Sequence, residues 1–474
     1  MGVELEQELL KLDGVDIFLI NSYFVVALFI ALYLVYKSQV ENKFELLVIS
    51  YFLLTGEAND RLTFSLPGIS FFEIQPERFL FLVFGFFVLR SFIFPGSVKQ
   101  TKIRTSPWVQ PLFVVALALA VFSVVTALFI HVGDLGMSEA IVQSLKPLTV
   151  LILVYAFYLL SSERMIATIG RAIIITAVVS AIISLVQTGV DSMFMRVGEQ
   201  RGAFGDVLRA TGLFRTERIN AYFMIMAMAW TLITLQNPRL KYIITALLAS
   251  GVICSFHRMS WLVMSLVLFI YFVKIQKVSA ARLAFAGLIG LTLILSIYTF
   301  YFQDIMQSSL VQERLSDTVD GRKGYYDMVL EHIGDQPVFG YGGKENEVYY
   351  QSMLQITRQL NRATGADGGI HSGYFSTLFY FGVPALVFYI LFVVLAILYF
   401  YRLTTYNIFF AIPFLIAVIY AVGNLTNTLM YSGIGIFYAI HLGLGLGARY
   451  QRGFIYGEIK DFKISFRQIL PDIG

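Results

Sequence analysis

The sequence predicts an all-α polytopic membrane protein with about 12–13 transmembrane helices and one large helical extracytoplasmic loop. Three observations predict it. The 474 residues are 57% hydrophobic, 15% aromatic and only 14% charged. A soluble domain carries roughly a quarter charged residues and about 45–50% apolar ones. The apolar residues also fall in runs approaching or exceeding the roughly 20 helical residues that cross a hydrocarbon core. Finally, basic connections alternate along the chain with acidic or arginine-rich ones, as they do when a chain crosses a bilayer repeatedly.

The runs lie near 17–36, 44–55, 79–95, 109–130, 145–160, 169–187, 219–236, 242–256, 259–273, 283–302, 372–401, 407–422 and 431–448. The first follows an acidic segment and is too long for a signal-peptide core, so no cleaved signal is expected. The links KQTKIR (Lys99 to Arg104), SSER, NPRLK, KIQKVSAAR and YRLTTYN, with the tail ARYQRGFIYGEIKDFK, share one side by parity. They are the basic links expected in cytoplasm. The other side holds EANDRLTFSLPGISFFEIQPER, HVGDLGMSEAIVQS, a loop at 189–218 and a large loop at 303–370. The chain thus divides into N-terminal spans (1–302), the large extracytoplasmic loop (303–370), C-terminal spans (371–448) and a cytoplasmic tail (449–474). An odd count places the N-terminus outside; if 44–55 does not cross, the N-terminus lies inside. The net charge of +4 is informative only once divided between the two sides. Cys254, the single cysteine, sits in an apolar run, which excludes a disulfide framework or a thiolate metal site. No internal repeat, Walker-type loop or nucleotide-binding module is present, and nothing points to a nucleic-acid partner.

The outer connections carry arginine where topology alone would not put it. DSMFMRVGEQRGAFGDVLRATGLFRTERIN holds Arg196, Arg201, Arg209, Arg215 and Arg218 and no lysine. The large loop adds Arg314, Arg322, Arg358 and Arg362 against Lys323 and Lys344. Guanidinium is a planar fork suited to phosphate and carboxylate oxygens, whereas lysine acts as a point charge. As a group these arginines favour an anionic ligand. Singly, each also fits pairing with Glu199, Asp206, Glu217 or lipid headgroups. Arg258, in CSFHRMSWL, stands between two short apolar runs near the outer headgroup level. Ionisable groups there face a cavity or a partner; the competing reading is a tight interhelical turn with Arg258 and His257 snorkelling.

Within the large loop, DGRKGYYDMVLEHIGDQPVFGYGGKEN predicts an amphipathic helix from about Arg322 to Ile333. Asp320 is placed to cap it, Tyr326, Val329 and Ile333 recur on one face, and Gly334 and Pro337 stop it. A cation in the first turn opposes the helix dipole, so Arg322 suggests an anion nearby. PVFGYGG offers backbone amides, including those of Gly340 and Gly342, that could line a ligand cavity. A second helix, NEVYYQSMLQITRQL, precedes the flexible RATGADGGI and the span that begins at His371. The dipole there disfavours imidazolium, leaving a neutral ring able to accept a proton. The alternative is a histidine that merely caps the helix.

Taken in order, these elements resemble the O-antigen ligase and polymerase superfamily of lipid-linked glycan transferases, membrane glycosyltransferases of the GT-C type. RATGLFRTERINAYF resembles the family's Arg-x-x-Gly-Leu-Phe…Asn stretch, here Arg209, Gly212, Phe214 and Asn220. SFHRMSWL resembles its Ser-x-x-Arg element and supplies Arg258. GRKGYYDMVLEHIGDQPVFGYG resembles the arginine helix ending in Pro-x-x-Gly-x-Gly, with Arg322, Pro337, Gly340 and Gly342. HSGYFSTLFYFGVPAL resembles the His-Asn/Ser-x-Tyr/Phe…Gly signature, with His371 and Gly382. Two departures are Ser372, where the family often has Asn, and Met259, where Gly or Ala is commoner.

The resemblance implies an inverting, metal-independent and cofactor-free transfer of a glycan from an undecaprenyl-diphosphate carrier, at the outer face of a bacterial cytoplasmic membrane. His371 would be the general base on the acceptor hydroxyl, with Arg258 and Arg322 holding the diphosphate. Arg209, Arg215, Arg218, Tyr326, Gly340 and Gly342 would contact diphosphate or glycan. The implied partners are the lipid-linked oligosaccharide, a glycan acceptor and membrane lipids, with a chain-length regulator as a further candidate. No outer acidic pair resembles a metal site; Asp317 and Asp320 are more simply helix caps. Two long arginine-rich outer loops suit two anionic lipid-linked substrates, which favours a polymerase over a ligase acting on lipid A core or protein. A transporter or flippase would instead carry midplane charges and paired discontinuous helices.

Overall fold

Polar caps start the helices, and the apolar runs between them set their lengths. The computed structural model describes 109–196, 202–204, 207–279, 282, 324–343, 346–349, 351–352, 370–428 and 433–448, a ribbon at 64–66 and 69–74, and scattered helical positions in 22–37. In chain order the elements are β1 (Phe64–Leu66), β2 (Ile69–Ile74), α1 (Val109–Val125), α2 (Val132–Leu160) and α3 (Glu163–Gly189). Then come β3 (Gly202–Phe204), β4 (Val207–Leu208), α4 (Glu217–Thr234), α5 (Pro238–Cys254) and α6 (Arg258–Ile270). A helix over 324–332, α7, precedes α8 (Gly373–Leu403), α9 (Ala411–Gly423) and α10 (Gly433–Ala448). The expected runs from 109 to 273 and from 372 to 448 are all helices. Those at 44–55, 79–95 and 283–302, and most of 17–36, lie outside the described residues.

Among the described residues, four helices are long and apolar enough to cross a membrane: Pro111–Ile130, Glu163–Gly189, Arg258–Ile275 and Gly373–Leu403. The protein is an all-α polytopic membrane protein, with two small antiparallel ribbons, β1–β2 and β3–β4, that the sequence reading did not foresee. The residues separating β1 from β2 are Pro67 and Gly68, a turn dipeptide between alternating apolar positions that could have signalled the first ribbon. Within the segment 131–144, expected as a loop, residues 132–144 are instead the helical start of α2, broken at Gly136 (φ 73, ψ 155).

Each cap answers the unpaired amides of a helix N-terminus. Ser162 accepts from the Met165 amide at 3.1 Å and Thr216 from Ile219 at 3.3 Å. Asn237 accepts from Arg239 and Leu240, with Pro238 next to it in the first turn of α5. α4 is buried nearly all round from Asn220 to Thr234, which makes it the central helix of the bundle. Its Trp230 indole N–H donates to His441 Nε2 at 2.7 Å, so the Nδ1–H of that imidazole is the one that bonds the Phe437 carbonyl. Small residues let α10 in close. A side chain at Gly443 would meet the Val154 carbonyl and Phe157 of α2, and one at Gly447 would meet the Tyr158 carbonyl and Ser161. This spacing of four puts both glycines on one helix face against α2, as in small-residue packing of membrane helices.

α8 is broken one-third of the way along. Gly382 takes φ 79 and ψ −176, and Pro384 lacks the N–H that would have bonded the Tyr380 carbonyl. The PVFGYGG loop repairs the break. Tyr341 N–H donates to the Phe379 carbonyl at 2.7 Å, Gly342 N–H to the Tyr380 carbonyl at 2.9 Å, and Val383 N–H to the Pro337 carbonyl at 2.8 Å. The chain downstream of α7 is thereby latched to the helix that starts beside His371.

Candidate functional site

His371 immediately precedes α8. Ser372, not His371, is the N-cap: its extended backbone (φ −140, ψ 129) lets its hydroxyl accept from the Phe375 amide at 3.4 Å. That decides against the capping role for His371. It also accounts for the departure from Asn, since Ser and Asn cap equally well. The Ser372 hydroxyl donates to the Asn424 carbonyl at 3.1 Å, and Gly373 N–H is shared between the carbonyls of Asn424 (2.9 Å) and Asn427 (3.0 Å). The C-terminal carbonyls beyond α9 thus receive the N-terminal amide of α8, satisfying two helix ends at once. Ile370 is fixed as well, its carbonyl accepting from Ser376 and Thr428. His371 is half-buried between these anchored neighbours, its ring edge-on to Tyr325 with centroids 5.9 Å apart.

α7 supplies that tyrosine. Its buried residues are Tyr325, Met328 and Val329, and the expected Tyr326 and Ile333 are part-buried beside them. The buried face is wider than expected because Tyr325 meets His371 and Tyr326 stacks on Phe375 of α8 with centroids 4.5 Å apart. Tyr326 therefore lies beside His371 as a packing contact. Arg322 and Asp320 lie outside the described residues. Gly340 (φ 62) and Gly342 (φ 78) are in the loop, but their amides donate to the carbonyls of Gln336 and Tyr380. The Gly342 amide is thus engaged by the break in α8 and the Gly340 amide by its own loop.

His131 was not singled out from sequence, yet it holds the same loop. It is buried, and its Nε2–H donates to the Phe339 carbonyl at 3.2 Å, while Phe122 stacks on the Phe339 ring. From the other side the Tyr341 hydroxyl donates to the His332 carbonyl at 2.8 Å. Burial, helped by the Asp335 carboxylate, pushes that phenol above its ordinary value, so it stays protonated and able to donate. His332 Nε2 in turn meets the Ser352 hydroxyl at 3.2 Å. With His441 bonded to Trp230 and His257 to Ser260, each histidine other than His371 contributes to architecture.

Arg258 opens α6. The turn before it is tight, as the competing reading held: Phe256 adopts φ 48, and Trp261 Nε1–H donates to the Val252 carbonyl at 3.2 Å. His257 does not snorkel. It is buried, and its Nδ1 accepts from the Ser260 amide at 3.3 Å as the N-cap of α6. Arg258 is exposed at the first helical position, and among the described residues its guanidinium has no partner. A cation there opposes the helix dipole, and the two together form a positive end suited to an anion.

The Arg209 loop is fastened from beneath by polar groups of α3 and α4. Gln187 Oε1 accepts from the amides of Thr211 and Gly212 at 3.0 Å each, and Ser180 Oγ accepts from Leu213 at 3.0 Å. Ser180 donates to Asn220 Oδ1 at 2.7 Å, and Asn220 Nδ2 donates to Ser184 at 2.9 Å. Gly212 (φ 57) rests on Ser180 and Asn220 with no room for a side chain. Gly212 and Asn220 are thus architectural, and the residues they present are arginines. Arg209 pairs with the buried carboxylate of Glu217 at 3.3 Å, leaving its buried Nε without a hydrogen-bond partner among the described residues. Arg215 is exposed and Arg218 half-buried. Arg196, buried to 2% exposure, donates to the carbonyls of Ser192 and Arg209.

These pieces meet at one end of the bundle. Ala210 N–H donates to the Cys254 carbonyl at 3.0 Å, joining the Arg209 loop to the turn that carries Arg258. Tyr222 lies edge-on to His257 at 5.9 Å and accepts from Asn427 Nδ2 at 3.0 Å. Asn427 then binds the start of α8 beside His371. Tyr222, Asn424, Asn427 and Gln187 escaped the sequence reading; the one available hint was the amide of Gln187 at the end of an apolar run. No curated protein matches the chain. Residues 243–390 match the family model described as O-antigen ligase, a segment that includes Arg258, Arg322, Gly340, Gly342 and His371. Over that segment the chain is similar to the O-antigen ligase family.

Proposed function

We propose that the protein is a membrane glycosyltransferase that polymerises a bacterial cell-surface polysaccharide, O-antigen or exopolysaccharide, at the outer face of the cytoplasmic membrane. The donor is a glycan on an undecaprenyl-diphosphate carrier, and the acceptor is a second lipid-linked repeat unit. The observation that supports this reading is that buried contacts through Tyr222 and Asn427 tie the turn before the exposed Arg258, at a helix N-terminus, to the anchored start of the helix after His371. A diphosphate needs its charge held in order to leave, which guanidinium and a helix N-terminus supply. An acceptor hydroxyl needs a base, which a neutral imidazole supplies. In one displacement the acceptor oxygen bonds to the anomeric carbon as its proton passes to His371. The bond from that carbon to the diphosphate oxygen breaks with inversion, and Arg258 and Arg322 receive the leaving charge. Arg209, Arg215 and Arg218 extend the positive surface toward the glycan. This chemistry runs without a metal ion, so EDTA should leave the rate unchanged.

The family description favours a second reading, a ligase that transfers the finished glycan to lipid A core or to a protein. Purified protein given only lipid-linked repeat units separates the two. A ladder of products supports the polymerase, whereas transfer that requires lipid A core supports the ligase.

A further inference from the structure

Tyr222 is completely buried in the second turn of α4, yet it touches His257 beside Arg258 and Asn427, which binds the start of α8. Its ring meets His257 edge-on, with centroids 5.9 Å apart. His257 is the cap of α6 and the residue before Arg258. On the other side, the phenolic oxygen accepts from Asn427 Nδ2 at 3.0 Å. The carbonyls of Asn427 and Asn424 receive Gly373 N–H, and Asn424 also accepts from the Ser372 hydroxyl, fixing the backbone next to His371. Every link in this chain is buried: Tyr222 and Asn424 at 0%, Ser372 at 1%, Asn427 at 3% and His257 at 6% exposure.

We infer that Tyr222 is a positioning residue that sets the separation of Arg258 from His371. The physical need is plain in a displacement where one group holds the leaving diphosphate and the other activates the attacking hydroxyl. These two events occur on opposite faces of the same anomeric carbon, so their distance must be held, and a misplacement of about 1 Å can cost on the order of 100-fold in rate. Neither α6 nor α8 can fix that distance alone, because their N-terminal turns belong to different helices. A polar bond from the central helix to the Asn427 turn, with the same ring against His257, ties both to one rigid element. Asn427 Nδ2 keeps other acceptors, the Gly423 carbonyl at 3.3 Å and Thr426 Oγ1 at 3.1 Å. Loss of the phenol therefore loosens the register without leaving that amide unsatisfied.

This inference rests on the reading proposed above, and the test separates the two. Tyr222→Phe, Asn427→Ala, the double variant and His371→Ala are purified in nanodiscs and assayed with an undecaprenyl-diphosphate-linked oligosaccharide. Tyr222→Phe should fold and melt like wild type, with kcat down about 10- to 100-fold and KM for the lipid-linked donor within about twofold. The double variant should be no slower than the slower single variant, since both remove the same bond. Wild-type kcat in Tyr222→Phe overturns the inference. So does a raised KM with unchanged kcat, or a loss that disappears once rates are normalised to folded protein. If His371→Ala is inactive while Tyr222→Phe is normal, the inference alone fails. If His371→Ala keeps full activity, the proposed function itself fails.

Discussion

Pro384 takes one N–H out of α8, and Gly382 turns the backbone to φ 79 and ψ −176, a region occupied almost only by glycine. Together they release the carbonyls of Phe379 and Tyr380 to Tyr341 and Gly342. A Cβ at Gly382 would strike the Val338 carbonyl, and one at Gly340 the Phe379 carbonyl. Gly382→Ala and Gly340→Ala should each cost about 1–3 kcal/mol from backbone strain alone, with the backbone clash added. A thermal melt of the purified variants should fall by several degrees, and wild-type melting would refute the latch. The motif glycines were legible in the sequence as points of constraint. Their reason was not, because it lies in a helix break about forty residues away in sequence, and a glycine-rich turn reads equally well as an anion cradle.

At the scale of elements, the loop that carries Arg209 is held by side chains projecting from α3. Gln187 Oε1 accepts two buried amides, and replacing it with Leu leaves the N–H groups of Thr211 and Gly212 without their acceptor. Each stranded buried donor costs about 1–3 kcal/mol. Gln187→Leu should therefore lower the melting temperature and raise KM for the lipid-linked donor as the arginine surface shifts. An unchanged KM would show that the loop does not contact the donor. Helices were the most legible layer of the sequence: the apolar runs from 109 to 273 and from 372 to 448 all fall on helices. The buried amides were not legible. Gln187 sits at the end of an apolar run, where periodicity marks the face but not the partner, and Asn220 was legible only as a motif residue. The α7 face is wider than the expected stripe of Tyr326, Val329 and Ile333, because Tyr325 also packs, against His371.

Over the whole molecule, one end of the bundle gathers three separate helix starts, those of α4, α6 and α8, around the buried Tyr222. The arginines and His371 were legible individually as residue types in unexpected places. Their convergence was not, since it depends on Ala210 meeting Cys254 and on Asn427 meeting both Tyr222 and Gly373, contacts that no spacing in the chain encodes. The central claim is that this end holds a diphosphate with arginine and activates a hydroxyl with His371. Its most direct measurement is product formation by purified protein given undecaprenyl-diphosphate-linked repeat units, comparing wild type with His371→Ala, Arg258→Ala and Arg322→Ala. The account predicts glycan ladders from wild type and, from the three folded variants, a loss of at least about 100-fold, consistent with the removal of a general base or a charge-stabilising group. Ladders of wild-type length and amount from all three variants would contradict it.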